Sequence, residues 1–128
     1  NVLVIGSGAR EHALVAALAN DPQVDAIFAA PGNAGMSSQA ELRDVDVNDP
    51  TAVTALAVEL DADLVVVGPE APLVAGVADA IRDAGIACFG PSAAAAELEA
   101  SKAFAKQVMH FAQVPTARAG VATDIDTV

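Results

Sequence analysis

The residues best suited to chemistry stand in a glycine turn, Gly6-Ser7-Gly8-Ala9-Arg10-Glu11, just after the apolar run Val2-Leu3-Val4-Ile5. Glycines let backbone N–H groups approach a ligand closely. A helix starting there points its unpaired N–H groups and its partial positive charge at the same place. An anion fits such a position. A tight strand-to-helix connection without a ligand uses the same glycines, so the turn alone leaves both readings open. Two other loops carry candidates. Asn33, in Pro31-Gly32-Asn33-Ala34-Gly35, could offer its amide to a ligand or bond its own backbone. Glu70, in Gly68-Pro69-Glu70-Ala71-Pro72, could accept hydrogen bonds from an amine or from hydroxyls, or stand as an ordinary solvated acid.

The obvious specific motifs fail. A dinucleotide fingerprint needs a third glycine where this chain has Glu11, and an acid ending the second strand, where it has Phe28-Ala29-Ala30-Pro31. No lysine followed by Ser or Thr closes the turn, which excludes a Walker-type phosphate loop. His12 and His110 have no second ligand at metal-binding spacing, so both read as structural or solvated and no metal site is expected in the chain.

The 128 residues are 54% hydrophobic but only 3% aromatic, which predicts one core built from Ala, Val, Leu and Ile. A net charge of −11 argues against nucleic acid or an anionic membrane as partner, because either would need a basic face. With only six Lys and Arg, Arg10 in the glycine turn marks a local positive spot suited to a small phosphorylated ligand or to a surface pair with Glu11 or Asp25. Cys88 has no partner for a disulfide and reads as a buried structural thiol. No signal sequence or membrane-length apolar run is visible, and the expected location is cytoplasmic. The first residue is Asn1 and the chain stops without a terminating pattern at Val128, so we expect part of a longer polypeptide.

These residues must be positioned by strands and helices. The pattern predicts a helix from about Arg10 to Asn20 with Leu14, Val15 and Leu18 on its inner face, and then a strand over Val24 to Ala29. The alternating Asp44-Val45-Asp46-Val47 predicts a short edge strand. Asp49 should cap a helix with Pro50 at its first position and Val53, Leu56 and Leu60 inward. Leu64 to Val67 reads as a central strand. One helix is expected through Leu73, Val77, Ile81 and Ala84, closed by Gly85, followed by a strand over Ile86 to Phe89. Ser92 caps a short alanine-rich helix. Ser101 caps another with Phe104, Val108 and Phe111 on one face, and Thr116 to Val128 reads as a strand fragment beyond a boundary near residue 100.

Four βα units in succession imply an α/β fold, a doubly wound parallel sheet with right-handed crossovers. Gly6, Gly32, Gly68 and Gly90 would all lie at the carboxyl edge of the strands, where such sheets bind ligands. With the first and the Leu64–Val67 strands as neighbours, the Gly6–Arg10 turn faces the Gly68–Pro72 loop across a crevice.

Five motifs, in order and spacing, resemble the amino-terminal region of the glycinamide ribonucleotide synthetases, also called phosphoribosylamine–glycine ligases. They are Gly6-Ser7-Gly8-Ala9-Arg10-Glu11-His12-Ala13, Pro31-Gly32-Asn33-Ala34-Gly35, Gly68-Pro69-Glu70-Ala71-Pro72-Leu73-Val74, Phe89-Gly90-Pro91-Ser92 and Ser101-Lys102-Ala103-Phe104-Ala105-Lys106. The resemblance implies a ligase of purine biosynthesis. ATP with Mg2+ would activate glycine as an acyl phosphate, and the amine of 5-phosphoribosylamine would attack it. It implies that residues 1–100 form a Rossmann-like domain preceding an ATP-grasp fold, which residues 101–128 begin. It implies a substrate site of Gly6, Ser7, Gly8, Ala9, Arg10, Glu11, Gly32, Asn33, Glu70 and Pro72, with Lys102 reaching nucleotide phosphates and no acid, base or nucleophile named as catalytic. The family usually has glycine where this chain has Ala9, which leaves the contacts of the turn open. The magnesium carboxylates and most of the ATP site would come from the remainder of the polypeptide, so this chain alone is not expected to catalyse the reaction. The rival readings are another ATP-grasp ligase or carboxylase, and a noncatalytic nucleotide-binding module on the same scaffold.

Overall fold

A computed structural model describes residues 1–120 and residue 122. In chain order, β1 is Val2–Gly6, α1 Ala9–Leu18, β2 Ile27–Pro31, β3 Glu41–Leu42, α2 Pro50–Glu59 and β4 Leu64–Val67. Then come α3 Glu70–Val74, α4 Val77–Asp83, β5 Ala87–Phe89, α5 Ala93–Ala100 and α6 Lys102–Phe111. The five strands make one all-parallel sheet in the order β3-β2-β1-β4-β5. β1 is central, with Val2 level with Ile27 of β2 on one side and with Leu64 of β4 on the other. The chain winds outward from β1 to β3, returns to β4 and winds outward again, so the strand order reverses between β1 and β4. This is the doubly wound sheet expected, with the expected central neighbours.

β1 is apolar throughout because both faces of the sheet are covered. Leu3 and Ile5 enter a core cluster with Val53, Leu56 and Ala57 of α2, Leu73 of α3, and Val77, Ala78 and Ile81 of α4. Val2 and Val4 enter a second cluster with Val15 of α1 and with Met36 and Ala40 of the loop after β2. Asp49 starts α2 as its position predicts: Oδ1 accepts hydrogen bonds from the N–H of Thr51 at 2.9 Å and of Ala52 at 3.2 Å, and Pro50 opens the first turn. Asp49→Ala should therefore lower stability by about 1 kcal/mol, seen as a lower urea midpoint with an unchanged slope. Ser92 and Ser101 likewise cap α5 and α6 through the N–H groups of Ala95 and Phe104.

Several expectations are corrected. The edge strand is Glu41–Leu42, paired with Phe28 and Ala29, and Asp44–Val47 is not a strand. Val45 and Val47 pack on the core from irregular chain, so their alternation marked burial and not a ladder. The single helix through Leu73 and Ala84 is two, α3 and α4, broken at Gly76 with φ 93°. The apolar stripe survives the break, whereas Ala84 is exposed. Gly85, at φ 81°, closes α4 as expected. β2 and β5 start at Ile27 and Ala87, later than expected, and α1 ends at Leu18. Phe104 of α6 is half-buried, but Val108 is 37% and Phe111 91% exposed, so the apolar stripe of this helix is largely uncovered. Of the expected strand fragment, Thr116 to Gly120 has no regular structure; residues 121 and 123–128 lie outside the described residues.

Cys88 is half-buried on β5 rather than fully buried, packed beside the first core cluster. Burial pushes its thiol above the ordinary value, with nearby Arg82 pulling the other way. Less thiolate is present at any pH below that raised value. Iodoacetamide should consequently alkylate Cys88 several-fold more slowly than glutathione at pH 8. The rate should keep climbing with pH after that of glutathione has levelled.

Candidate functional site

Gly6 ends β1, and Gly32, Gly68 and Gly90 follow β2, β4 and β5, so the four loops share the carboxyl edge of the sheet. The first three loops are tied together there. The Gly68 N–H donates to the Ile5 carbonyl at 3.1 Å and the Gly32 N–H to the Gly6 carbonyl at 3.2 Å. Asn33 adds a cross-link by donating from Nδ2 to the Ser7 carbonyl at 2.9 Å. Its Oδ1 accepts from the N–H groups of Gly35 and Met36, so the oxygen braces its own loop while the nitrogen ties that loop to the β1 turn. Gly32 has φ 67°, and a Cβ there would fall 2.6 Å from Leu42.

The centre of the turn is filled by Glu11. It stands in the first turn of α1, is only 3% exposed, and is the one charged residue among the buried side chains of the described residues. Oε2 accepts from the Gly8 N–H at 2.7 Å, and Oε1 accepts from Arg10 Nε at 3.2 Å. The carboxylate sits against the unpaired donors of a helix start, where a negative charge is favoured. Three glycines make room for it. A Cβ at Gly6 would lie 2.6 Å from Glu11 Cγ, one at Gly8 2.7 Å from Oε2, and one at Gly68 2.2 Å from Oε1. The anion that the glycine turn calls for is thus supplied by the chain itself. Glu11, expected as a substrate contact, faces inward.

Arg10 reaches outward from the same turn. Its NH2 lies 3.8 Å from Glu70 Oε1, which joins the β1 and β4 loops across the point where strand order reverses. The Arg10 and Glu70 side chains are 62% and 53% exposed, so the pair adds little to stability and is open to a ligand. The hydrogen bond and charge of Glu11, and then the charges of Glu70 and Glu99, hold the Arg10 guanidinium above its ordinary pKa. Ser7, Gly8 and Ala9 are exposed beside it. Ala9 opens α1 without a positive φ, so the turn does not require glycine at that position. Pro72 is fully buried within α3.

Lys102 opens α6 and lies at the junction of two cavities. One, of about 670 Å3, is bordered by Glu70, Leu98, Glu99, Lys102 and Lys106. The other, of about 860 Å3, is bordered by Lys102, Lys106, His110 and Arg118. Arg10, Arg43 and Arg82 each lie within 4 Å of a carboxylate, whereas among the described residues Lys102, Lys106 and Arg118 make no such pair. Lys106 donates to Thr116 Oγ1 at 2.6 Å and to the Ala117 carbonyl at 2.8 Å, closing the cavity wall. Sequence reasoning missed Lys106 and Arg118. The four-residue spacing of Lys102 and Lys106 on one helix was a usable signal for the first; Arg118 had none. Among the described residues, no group of three or more His, Cys, Asp and Glu side chains could hold a metal ion.

Fold and crevice together define a doubly wound α/β domain with an open crevice at its switch point, the place where sheets of this class bind ligands. A profile of the family described as "Phosphoribosylglycinamide synthetase, N domain" matches residues 1–99. The chain belongs to this family. It is 67% identical over 123 residues to the phosphoribosylamine–glycine ligase of Streptomyces coelicolor, covering 96% of this chain and 30% of that protein. The crystal structure of phosphoribosylamine–glycine ligase from Thermotoga maritima superposes with a TM-score of 0.66 at 26% identity, over 91% of this chain and 26% of that one. The biotin carboxylase domain of a thermophilic 2-oxoglutarate carboxylase has the same fold, with a TM-score of 0.66 at 21% identity over 98% of this chain and 31% of that one. The chain therefore spans about 30% of the length of the Streptomyces relative.

Proposed function

We propose that the polypeptide to which this chain belongs ligates glycine to 5-phosphoribosylamine with ATP, giving glycinamide ribonucleotide, ADP and phosphate in purine biosynthesis. The observation that carries the reading is 67% identity, over nearly the whole chain, with a phosphoribosylamine–glycine ligase. A carboxylase reading has only a shared fold at 21% identity. In the reaction a glycine carboxylate oxygen attacks the terminal phosphorus of ATP, and ADP leaves. The amine of phosphoribosylamine then attacks the carbonyl of glycyl phosphate, and the C–O bond to phosphate breaks. No side chain need form a covalent bond. The protein holds the reactants together, stabilises the developing charge and keeps water from the acyl phosphate.

Residues 1–100 would be the substrate-side domain and residues 101–128 the beginning of the ATP-grasp domain. The family profile ends at residue 99, and no side chain of α6 is fully buried, which supports the division. Arg10 and Glu70 would meet phosphoribosylamine in the crevice, with Ser7 and Ala9 beside them. Lys102, and with it Lys106 and Arg118, would face the ATP phosphates; a cavity bordered by these cations in an acidic chain suits a polyanion. Mg2+ would accompany the triphosphate, but no acidic cluster of the described residues fits it, so its carboxylates are assigned to the rest of the polypeptide. The enzyme would act in the cytoplasm. No helix of the described residues is long and apolar enough to cross a membrane.

ADP release by the intact polypeptide, with glycine and freshly generated phosphoribosylamine each present or omitted, tests the reading. Release that needs both substrates is expected. No release from folded protein with both present would sink it and leave a shared fold.

A further inference from the structure

Glu11 holds a position that the ligase reading leaves unexplained. A carboxylate 3% exposed sits at the mouth of a cleft meant for a phosphorylated substrate, and glycines from two separate loops are hollowed around it. A buried charge persists only where hydrogen bonds compensate its desolvation. Here they are the Gly8 N–H and Arg10 Nε, one for each oxygen. The first removes a donor that a bound phosphate would need. The second fixes the plane of the guanidinium, leaving its outer nitrogens toward Glu70. Two carboxylates, Glu11 and Glu70, lie within 4 Å of this one cation, so the local field opposes a phosphate and favours an amine or hydroxyl donor.

We propose that Glu11 is a positioning residue: it fills the anion place of the Gly6–Gly8 turn and holds Arg10 by Nε, so that the crevice meets the ribose hydroxyl and amine end of phosphoribosylamine while its phosphate lies elsewhere. This rests on the ligase reading, and deepens it by orienting the substrate. Arg10 supplies donors to ribose oxygens from its outer nitrogens. Glu70 accepts from a hydroxyl or from the amine. Neither arrangement survives if the guanidinium swings freely, because Arg10 is otherwise an exposed side chain with several rotatable bonds.

The test uses the full-length enzyme with Glu11→Gln, Glu11→Asp, Arg10→Ala and the double variant Glu11→Gln/Arg10→Ala. Both Glu11 oxygens accept at present, so the amide of Gln must set a donor against a donor, whereas Asp keeps the charge but shortens the reach. In Glu11→Gln the KM for phosphoribosylamine should rise about tenfold or more, the scale of one charge-assisted hydrogen bond. The KM values for glycine and ATP should stay within about twofold, inside the ordinary spread for a contact that is not touched. Glu11→Asp should fall between Gln and wild type. The double variant should be no worse than Arg10→Ala alone, because Glu11 acts through Arg10.

An effect of Glu11→Gln that persists undiminished without Arg10, or an unchanged KM for phosphoribosylamine, would overturn the proposal. Inorganic phosphate supplies a readout independent of activity. With 15N-labelled protein it should leave the Ser7, Gly8 and Ala9 amide resonances of wild type in place and shift them in Glu11→Ala, where the arm that fills the turn is gone. Movement in wild type would overturn the claim that the turn is already filled. If wild type instead shows static amides but no substrate-dependent ADP release, the ligase reading fails, and the orientation assigned to its substrate falls with it.

Discussion

Gly68→Ala should destabilise the protein by roughly 1–3 kcal/mol, the range for forcing a methyl group into a filled site. The added Cβ would lie 2.2 Å from Glu11 Oε1, 2.5 Å from Cγ and 2.6 Å from Cδ. The carboxylate arm has nowhere to retreat, because Gly6 and Gly8 close on it from the other side. The clash is steric and not conformational, since Gly68 does not adopt a positive φ. In a Glu11→Ala background the arm is gone, and the same Gly68→Ala change should cost much less. Urea denaturation of the four proteins of this cycle measures the coupling. An equal cost of Gly68→Ala in both backgrounds would mean that Glu11 does not fill the space under Gly68.

Ile5→Ala should cost more, about 2–5 kcal/mol. Ile5 is fully buried on the central strand and packs in the cluster that joins β1, β4, α2 and α4, so shortening it leaves a cavity that the surrounding helices cannot all close. Its carbonyl also receives the Gly68 N–H, so slack at this residue reaches the crevice directly. Val58 on α2 provides the contrast: it is 62% exposed, and Val58→Ala should stay within about 0.5 kcal/mol. Denaturant midpoints of the two variants decide the matter. A similar small loss for both would contradict the assignment of Ile5 to the core.

The sheet could be read in the sequence because each βα unit carries its own local signals: an apolar run, a glycine turn, and a capped helix. Asp49 and Pro50 fix the start of α2 within two residues of each other, and Gly85 marks the end of α4 by its left-handed φ. Other features depended on what lies across space. Val45 and Val47 alternate as a strand does, but only the neighbours of Phe28 and Ala29 decide which residues join the ladder. Gly76 breaks a helix without disturbing the order of Leu73, Val77 and Ile81, so periodicity passes over it. The stripe of α6 shows that one face is apolar and leaves open what covers it.

Within the site, the pairing of the β1 and β4 loops followed from the order of the strands, and the Arg10–Glu70 approach with it. The inward turn of Glu11 did not. It depends on Gly68, which is far along the chain, and a carboxylate beside an arginine in a glycine turn reads on its own as a ligand contact. Asn33 allowed two roles in the sequence, and its own-backbone bonds to the Gly35 and Met36 N–H groups were one of them, whereas the tie to the Ser7 carbonyl depends on the β1 loop across space.

The most direct test of the account is the KM for phosphoribosylamine in the full-length enzyme carrying Glu70→Gln. Glu70 is half-exposed at the start of a short helix, so the substitution should leave the fold intact. The account predicts a KM raised about tenfold, the scale of a hydrogen bond to a charged group, with the KM values for ATP and glycine nearly unchanged. An unchanged KM for phosphoribosylamine, or a rise confined to glycine, would contradict the assignment of this crevice to the ribose substrate.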